Sequence, residues 1–369
     1  MRVLIVVGEA SGDSHAAKVA RRLRERGARI TAVGGEALRA AGAELVEHIE
    51  SLSVLGFVEV LRSLPRFVAL KRRIDAMLRD GGFDLFLPVD FPGLNLRLAA
   101  SASRAGVPVL YYIGPQVWAW RAGRLQRMRE RVDQVALILP FEKALYDAAS
   151  VPALFVGHPL LDDPVPPVGE RTVDLALFPG SRPQEVVRHL PPLLDAIERV
   201  RRKRPLRAAI SVAATAPLDW MRQTLAIRGI DPEEVLHTEP AGALMRSARA
   251  LLVASGTATL EAALSGSPFA VFYRTGRINY AVARRLVRVP QVALANLVAG
   301  EAIVREYIQE QLHPAALEAE IERLLTDEAE RARIGRGLER VRARLGTPGA
   351  SERVAALAFE VASRRVVLA

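Results

Sequence analysis

The sequence predicts an α/β protein of two doubly wound domains, each built on a parallel sheet. Short apolar runs that end in small-residue loops alternate with helix-patterned segments from the first residues onward, the rhythm a parallel sheet requires. The rhythm breaks at residues 159–171, where Pro159, Pro164, Pro166 and Pro167 stand beside Asp162 and Asp163, and then restarts. The chain has 369 residues, enough for two domains of about 150–200 residues each. We therefore expect a first domain over 1–160, a linker over 161–171 and a second domain over 172–349. A final helix over 350–369 is expected to join the first domain.

In the first half, residues 2–7 (Arg-Val-Leu-Ile-Val-Val) form a strand pattern and residues 14–26 a helix, with the loop Gly8-Glu9-Ala10-Ser11-Gly12-Asp13 between them. Residues 30–33 give the next strand, followed by Gly34-Gly35. Ligands of such sheets bind at the carboxyl ends of the strands, so the loop carrying Glu9, Ser11 and Asp13 is a candidate site. Its glycine spacing is not a dinucleotide fingerprint. Residues 54–74 set a very apolar run, with Leu55, Phe57, Val58 and Leu61, ahead of Arg62, Arg66, Lys71, Arg72 and Arg73. That suits a helix lying in a membrane interface, and equally a core helix with a solvated basic end. Residues 83–89 read as a buried strand with Asp90 at its carboxyl end, followed by Phe91-Pro92-Gly93-Leu94-Asn95. A carboxylate in that apolar setting is a candidate base, although capping the next helix would also explain it. A strand over 107–112 leads to Gln116, Trp118, Trp120 and Arg121. These residues could wall an acidic, bulky ligand or be core tryptophans ahead of a solvated helix. Strands over 135–139 and 154–156 complete the half, and His158 stands at the linker's edge.

In the second half, residues 174–178 form a strand that ends in Pro179-Gly180-Ser181-Arg182, with a helix from Gln184 onward that is basic over 189–204. Such a junction points free N–H groups and the positive end of a helix dipole into one space, and Arg182 adds a planar fork suited to phosphate oxygens. An ordinary strand-to-helix turn with a surface arginine has the same pattern. Strands over 208–212, 235–238, 250–253 and 269–273 alternate with helices over 219–228 and 241–247. Ser255-Gly256-Thr257 opens a second helix in the same anion-binding manner, and Glu261, one turn in, is placed to accept from a pair of sugar hydroxyls. Residues 296–301, with Asn296 and Glu301, read as a further loop, and 313–345 as charged helix. Two phosphate loops in one domain and a carboxylate in the other match a glycosyltransferase whose two domains face each other across a cleft.

Composition narrows the partners. The chain has 51 basic and 41 acidic residues, a formal +10, which suggests an anionic partner. Nucleic acid fits poorly, because aromatics are 5% of the chain and none interleave with a basic segment in a stacking pattern. No cysteine is present, which excludes disulfides and thiolate metal sites. No window reaches the run of about 18 uncharged apolar residues that a membrane span needs, and the opening residues do not form a signal peptide. A cytoplasmic protein is expected, and the mean hydropathy of +0.14 alongside so many charges fits a membrane-surface seat.

Taken together the motifs resemble the lipid-A-disaccharide synthase family. They are Gly8-Glu9-Ala10-Ser11-Gly12-Asp13, Gly56-Phe57-Val58-Glu59-Val60-Leu61, Asp90-Phe91-Pro92-Gly93-Leu94-Asn95, Pro115-Gln116-Val117-Trp118-Ala119-Trp120-Arg121 and Leu139-Pro140-Phe141-Glu142. In the family's order there follow Phe155-Val156-Gly157-His158, Pro179-Gly180-Ser181-Arg182 with Glu185, Ser255 to Glu261, and Asn296-Leu297-Val298-Ala299-Gly300. The resemblance implies the GT-B fold and an inverting transfer from UDP-2,3-diacylglucosamine to 2,3-diacylglucosamine 1-phosphate at the cytoplasmic face of the inner membrane. It implies Asp90 as the base. Gly180, Ser181, Arg182, Glu185, Ser255, Gly256, Thr257, Glu261, Asn296 and Glu301 would serve the donor, and Glu9, Ser11, Asp13, Gln116, Trp118 and Arg121 the acceptor. Leu55, Phe57, Val58 and Leu61 would meet acyl chains. No cofactor is implied, and no Asp-x-Asp metal motif lies near the nucleotide loops. In some members the C-terminal segments exchange within a homodimer. Two departures stand out: Gly114 where a serine is expected, and Pro159 where some members carry threonine. Another UDP-sugar enzyme of this fold, such as a lipid glycosyltransferase with a different acceptor or a UDP-GlcNAc 2-epimerase, and a basic binding module are the competing readings.

Overall fold

A computed structural model of the chain describes residues 1–52, 57–117, 123–163, 170–286 and 291–364, with backbone alone over 51–52, 57–64, 278, 282–283 and 285–286. Two compact units result, Met1–Pro164 with Leu345–Ala369, and Val165–Arg344.

Unit 1 opens with β1 (Arg2–Val6), α1 (Ala10–Glu25), β2 (Arg29–Gly34), α2 (Glu36–Ala40) and β3 (Glu44–His48). It continues through α3 (Phe57–Asp80), β4 (Leu85–Pro88), α4 (Pro92–Arg104), β5 (Leu110–Tyr112), α5 (Gly123–Arg131), β6 (Gln134–Leu137), α6 (Glu142–Ala148) and β7 (Ala153–Phe155). The strands pair in parallel in the orders β3-β2-β1-β4 and β5-β6-β7. Parallel bridges from Phe86 to Val109 and from Val89 to Tyr112 join the two runs. Helices cover both faces, so the strands are near-continuous apolar sequence: Val3 to Val7 and Leu85 to Leu87 are fully buried. Leu70, Ile74 and Leu78 recur at helical spacing along α3 and bury against Phe86, Leu98 and Tyr111. β3 was not expected from the sequence; its five residues are mostly half-exposed at the sheet's edge, so the apolar run that marks a central strand is absent.

Unit 2 runs through β8 (Val173–Phe178), α7 (Pro183–Arg201), β9 (Ala208–Ser211), α8 (Leu218–Ala226), α9 (Pro232–Val235), β10 (Leu236–His237) and α10 (Ala241–Ser247). β11 (Ala248–Ala254), α11 (Ala258–Ser265), β12 (Phe269–Tyr273), α12 (Arg277–Leu286), α13 (Leu294–Ala299), β13 (Glu306–Ile308), α14 (Pro314–Thr326) and α15 (Glu328–Arg344) follow. Its six strands are parallel in the order β10-β9-β8-β11-β12-β13. The loop expected over 296–301 is a correction. Residues 294–299 are a short helix, ended by Gly300 in the left-handed conformation at φ 70°. At six residues the helix is too short to show a period in sequence.

The chain then returns to unit 1 as α16 (Ala350–Arg364), which packs on α1, β4 and β5. Asp162 makes this docking. Its carboxylate accepts from the N–H groups of Gly349, Ala350 and Ser351 at 2.7, 2.9 and 2.8 Å, capping the helix from outside its own segment. The buried His158 accepts at Nδ1 from the Leu160 N–H and donates its own backbone N–H to the Leu345 carbonyl, which makes it structural. Asp163, expected in the linker, pairs with Lys18 of α1 at 2.6 Å.

Partial burial opposes the charge on Asp162, but hydrogen bonds from Ser351, Gly349 and Ala350 outweigh it and hold the carboxyl pKa below its ordinary value. A lowered carboxyl pKa stabilises the fold above the ordinary range and ceases to do so as pH falls through the lowered value. Asp162→Ala should cost about 1–2 kcal/mol in urea unfolding at pH 7.5, with a smaller difference from the parent near pH 3.

Candidate active site

In unit 1 the strand order reverses between β1 and β4, with β2 and β3 on one side and β5 to β7 on the other. Loops leaving the carboxyl ends of two strands at such a reversal part from each other and leave a crevice. Glu9 follows β1 there, and Asp90 follows β4. Asp90 and Phe91 are both left-handed, at φ 45° and 50°, a conformation that non-glycine residues adopt only when their surroundings impose it. The Asp90 N–H donates to the Tyr112 carbonyl at 3.0 Å. Its carbonyl accepts from the Tyr111 hydroxyl at 2.7 Å and from Asn95 Nδ2 at 2.8 Å. Asn95, fully buried, also donates to the carbonyls of Val6 and Val89. The backbone is thus clamped while the residue itself stays exposed. A Cβ on Gly8 would lie 2.2 Å from the Phe91 ring, so glycine alone lets the loop after β1 pass this turn.

Crowding by the surrounding protein pushes the Asp90 carboxyl up to about 6, and the Glu9 carboxylate adds to the rise. A hydrogen bond from Phe91 and the Arg124 charge work the other way.

The other acceptor candidates divide. Glu9, Ser11 and Gln116 are exposed, whereas Trp118 and Arg121 lie outside the described residues. Asp13 is buried, and its carboxylate oxygens accept from the Gly35 N–H at 2.7 Å and the Ala37 N–H at 2.9 Å. It caps α2, and Gly34-Gly35 is glycine because a Cβ would strike Asp13 and Leu38. Gly114 is explained likewise. A Cβ there would lie 2.3 Å from the Tyr146 hydroxyl, which donates to the Pro115 carbonyl.

In unit 2 the reversal falls between β8 and β11, which pair from Ala248–Val173 to Val253–Phe178. Gly180-Ser181-Arg182 leaves one strand and Ser255-Gly256-Thr257 the other, so the two candidate phosphate loops emerge side by side. Gly180 has φ 117°, and a Cβ on it would lie 2.8 Å from Glu185 Oε2. Arg182, mostly exposed, donates to Glu185 Oε1 at 3.0 Å, and the Tyr273 hydroxyl reaches the same oxygen at 3.5 Å. Glu185 therefore orients Arg182. The Thr215 hydroxyl holds the Ser181 carbonyl, and Glu261 sits half-buried one turn into α11.

Asn296 and Glu301 both have partners within the protein. Asn296 is fully buried; Nδ2 donates to the Val304 carbonyl and Glu306 Oε1, and Oδ1 accepts from the N–H groups of Ile303 and Val304. Glu306 in turn accepts from the N–H groups of Val292 and Ala293, and Ser255 donates to the Val292 carbonyl at 3.1 Å. Asn296 thus braces the wall behind Ser255. Glu301 precedes β13, at the amino end of the strands, and pairs with Arg340. Sequence reasoning missed His189, whose two ring nitrogens tie the Pro179 loop to Arg274. A lone histidine in a basic helix gives no signal of that.

Leu55 lies outside the described residues, and the side chains of Phe57, Val58 and Leu61 are not described. Further along α3, Arg66, Arg72, Arg73 and Val68 are exposed. Among the described residues no helix is long and apolar enough to cross a membrane.

A family model for lipid-A-disaccharide synthetase matches residues 3–360. Lipid-A-disaccharide synthases of Anaeromyxobacter dehalogenans and Acidobacterium capsulatum are 41% and 36% identical, covering 96% and 99% of this chain and 96% and 98% of their own. Among solved structures, the glycosyltransferases of kitacinnamycin and calicheamicin (CalG4) align at TM-scores of 0.65 and 0.62 over 98% of both chains, at 18% and 21% identity. A Neisseria meningitidis UDP-GlcNAc 2-epimerase aligns at 0.64 over 98% of this chain and 100% of its own, at 14% identity. Likenesses this distant speak for the fold alone, which is GT-B.

Removing the Glu9 charge by Glu9→Gln should lower the midpoint of the Asp90 titration, read from its carboxyl carbon by NMR. Because the Asp90 pKa is raised, its share of stability is full below the ordinary carboxylate range and lost as pH climbs through about 6. Asp90→Asn should therefore raise Tm more at pH 8 than at pH 5.

Proposed function

The chain belongs to the lipid-A-disaccharide synthetase family, and we propose how its two units divide the family's reaction. It is a glycosyltransferase that forms the lipid A disaccharide. In our reading the donor is UDP-2,3-diacylglucosamine and the acceptor 2,3-diacylglucosamine 1-phosphate, and the product is the β-1′,6-linked disaccharide 1-phosphate with release of UDP. The 2-epimerase reading is not favoured, since that likeness is confined to the fold.

Inversion takes one in-line displacement at the donor's anomeric carbon. The bond from the acceptor's 6-oxygen to that carbon forms as the bond to the diphosphate breaks. The hydroxyl proton passes to Asp90, and the departing charge stays on UDP. The observation that carries the base assignment is the clamped, left-handed Asp90 at the reversal point of its sheet, with a carboxyl raised toward neutrality. Its backbone cannot swing, so only χ rotation aims the carboxylate. On the donor side, Arg182 and the N–H groups of the loops after β8 and β11 would stabilise the leaving diphosphate. Glu261 would accept from the ribose hydroxyls, and Glu9, Ser11 and Gln116 would border the acceptor.

We also place the protein at the cytoplasmic face of the inner membrane as a peripheral enzyme, because both substrates carry acyl chains. The apolar residues at 54–61 followed by exposed arginines on α3 support that seat. A homodimer exchanging C-terminal segments would use the contacts that α16 makes with α1, β4 and β5.

Asp90→Asn should cut turnover by about 100- to 10,000-fold while UDP affinity by calorimetry stays unchanged; the backbone conformation at this position suits asparagine. Full turnover in that variant would remove Asp90 from the chemistry. Glutamate at Leu55, Phe57 and Leu61 together should reduce co-sedimentation with liposomes of inner-membrane lipids and raise KM for the acceptor. Unaltered sedimentation would refute the membrane seat.

A further inference from the structure

The loop after β8 is shaped by a side chain outside it. His189, fully buried on α7, sits with Nδ1 2.7 Å from the Pro179 carbonyl. The backbone N–H of Arg274 donates to Nε2 at 2.9 Å, and the Arg274 carbonyl lies 3.1 Å from the same nitrogen. A carbonyl can only accept, so Nδ1 carries the proton; the Arg274 N–H needs an acceptor, so Nε2 is bare. One neutral tautomer satisfies both. The rings of Phe272 and Tyr273 enclose it at 5.1 and 5.6 Å.

The consequence lies in the peptide that follows Pro179. Among the described residues no peptide bond is cis, and in a planar trans peptide the N–H points opposite the carbonyl. With the Pro179 carbonyl drawn inward to His189, the Gly180 N–H is turned outward, and among the described residues it has no acceptor. We propose that His189 is a positioning residue for the glycosyl transfer: it sets the Pro179–Gly180 peptide so that the Gly180 N–H donates to the donor's diphosphate. This rests on the reading of residues 179–182 as the diphosphate seat. Burial keeps the imidazole neutral against the opposing pull of the Pro179 carbonyl, Glu185 and the Arg274 carbonyl, with the Arg274 charge helping. A protonated ring would set a second N–H against that of Arg274.

Two amide variants separate the two bonds. Asparagine places its nitrogen where Nδ1 stands and can keep the Pro179 bond; glutamine reaches the position of Nε2 and can keep the Arg274 bond. Each loses one buried hydrogen bond, so a merely structural role predicts similar falls in Tm and similar UDP affinity. The positioning role predicts that His189→Asn binds UDP within about twofold of the parent while His189→Gln binds about tenfold more weakly, with kcat/KM for the donor following. In the unaltered chain, the Gly180 amide proton should move downfield on UDP addition. Equal UDP affinities in the two variants, or an unmoved Gly180 amide in a chain that binds UDP through Arg182, would overturn the role of His189. Arg182→Ala binding UDP as tightly as the parent would instead overturn the seat itself.

Discussion

Parallel strands cannot be joined by a hairpin, and each needs a crossover that climbs over one face of the sheet. Covering both faces forces the chain to change direction once, and at that point two neighbouring loops part. Both units obey this constraint, and the chemistry-bearing residues gather where it acts. Glu9 and Asp90 flank the reversal between β1 and β4, and the loops of Arg182 and Ser255 flank the one between β8 and β11. The crevices arise from the winding itself; the sequence decides what lines them.

What lines them is held under strain in one unit and by distant bonds in the other. Two successive left-handed residues at Asp90 and Phe91 cost about 1–3 kcal/mol each, offset by Asn95, Tyr111 and the strand bonds around them. In unit 2, Gly180 takes its conformation freely, and the cost is moved to a buried histidine whose partners are 10 and 85 residues away. Both devices fix a backbone so that an adjacent group faces outward.

The strands with continuous apolar runs, the loops that end them and the helices between were legible, because each is a local pattern of the right period. Asp90 and the Gly180 loop stood out because a carboxylate or a glycine closes a buried strand. Position alone could not show how a side chain is occupied. Asp13 looks available in sequence, yet its only hint of capping is the Gly34-Gly35 pair on the next strand. Asn296 reads as a loop residue because its helix has six residues, and of its four bonds, to Ile303, Val304 and Glu306, three go to backbone groups. His189 was hidden for the same reason: its partners are backbone groups, which carry no residue identity.

The docking of α16 on unit 1 has a consequence for synthesis. Unit 2 is inserted between two parts of unit 1, and residues 345–364 are the last described ones to leave the ribosome. Until then the face of α1 that meets α16 is bare, and Asp162 has no helix to cap. Unit 1 therefore cannot complete its core on the growing chain, although it begins first, whereas unit 2 emerges as one uninterrupted stretch and can close beforehand. Order of translation and order of completion are inverted, and the side of α1 that meets α16 waits through the synthesis of an entire domain.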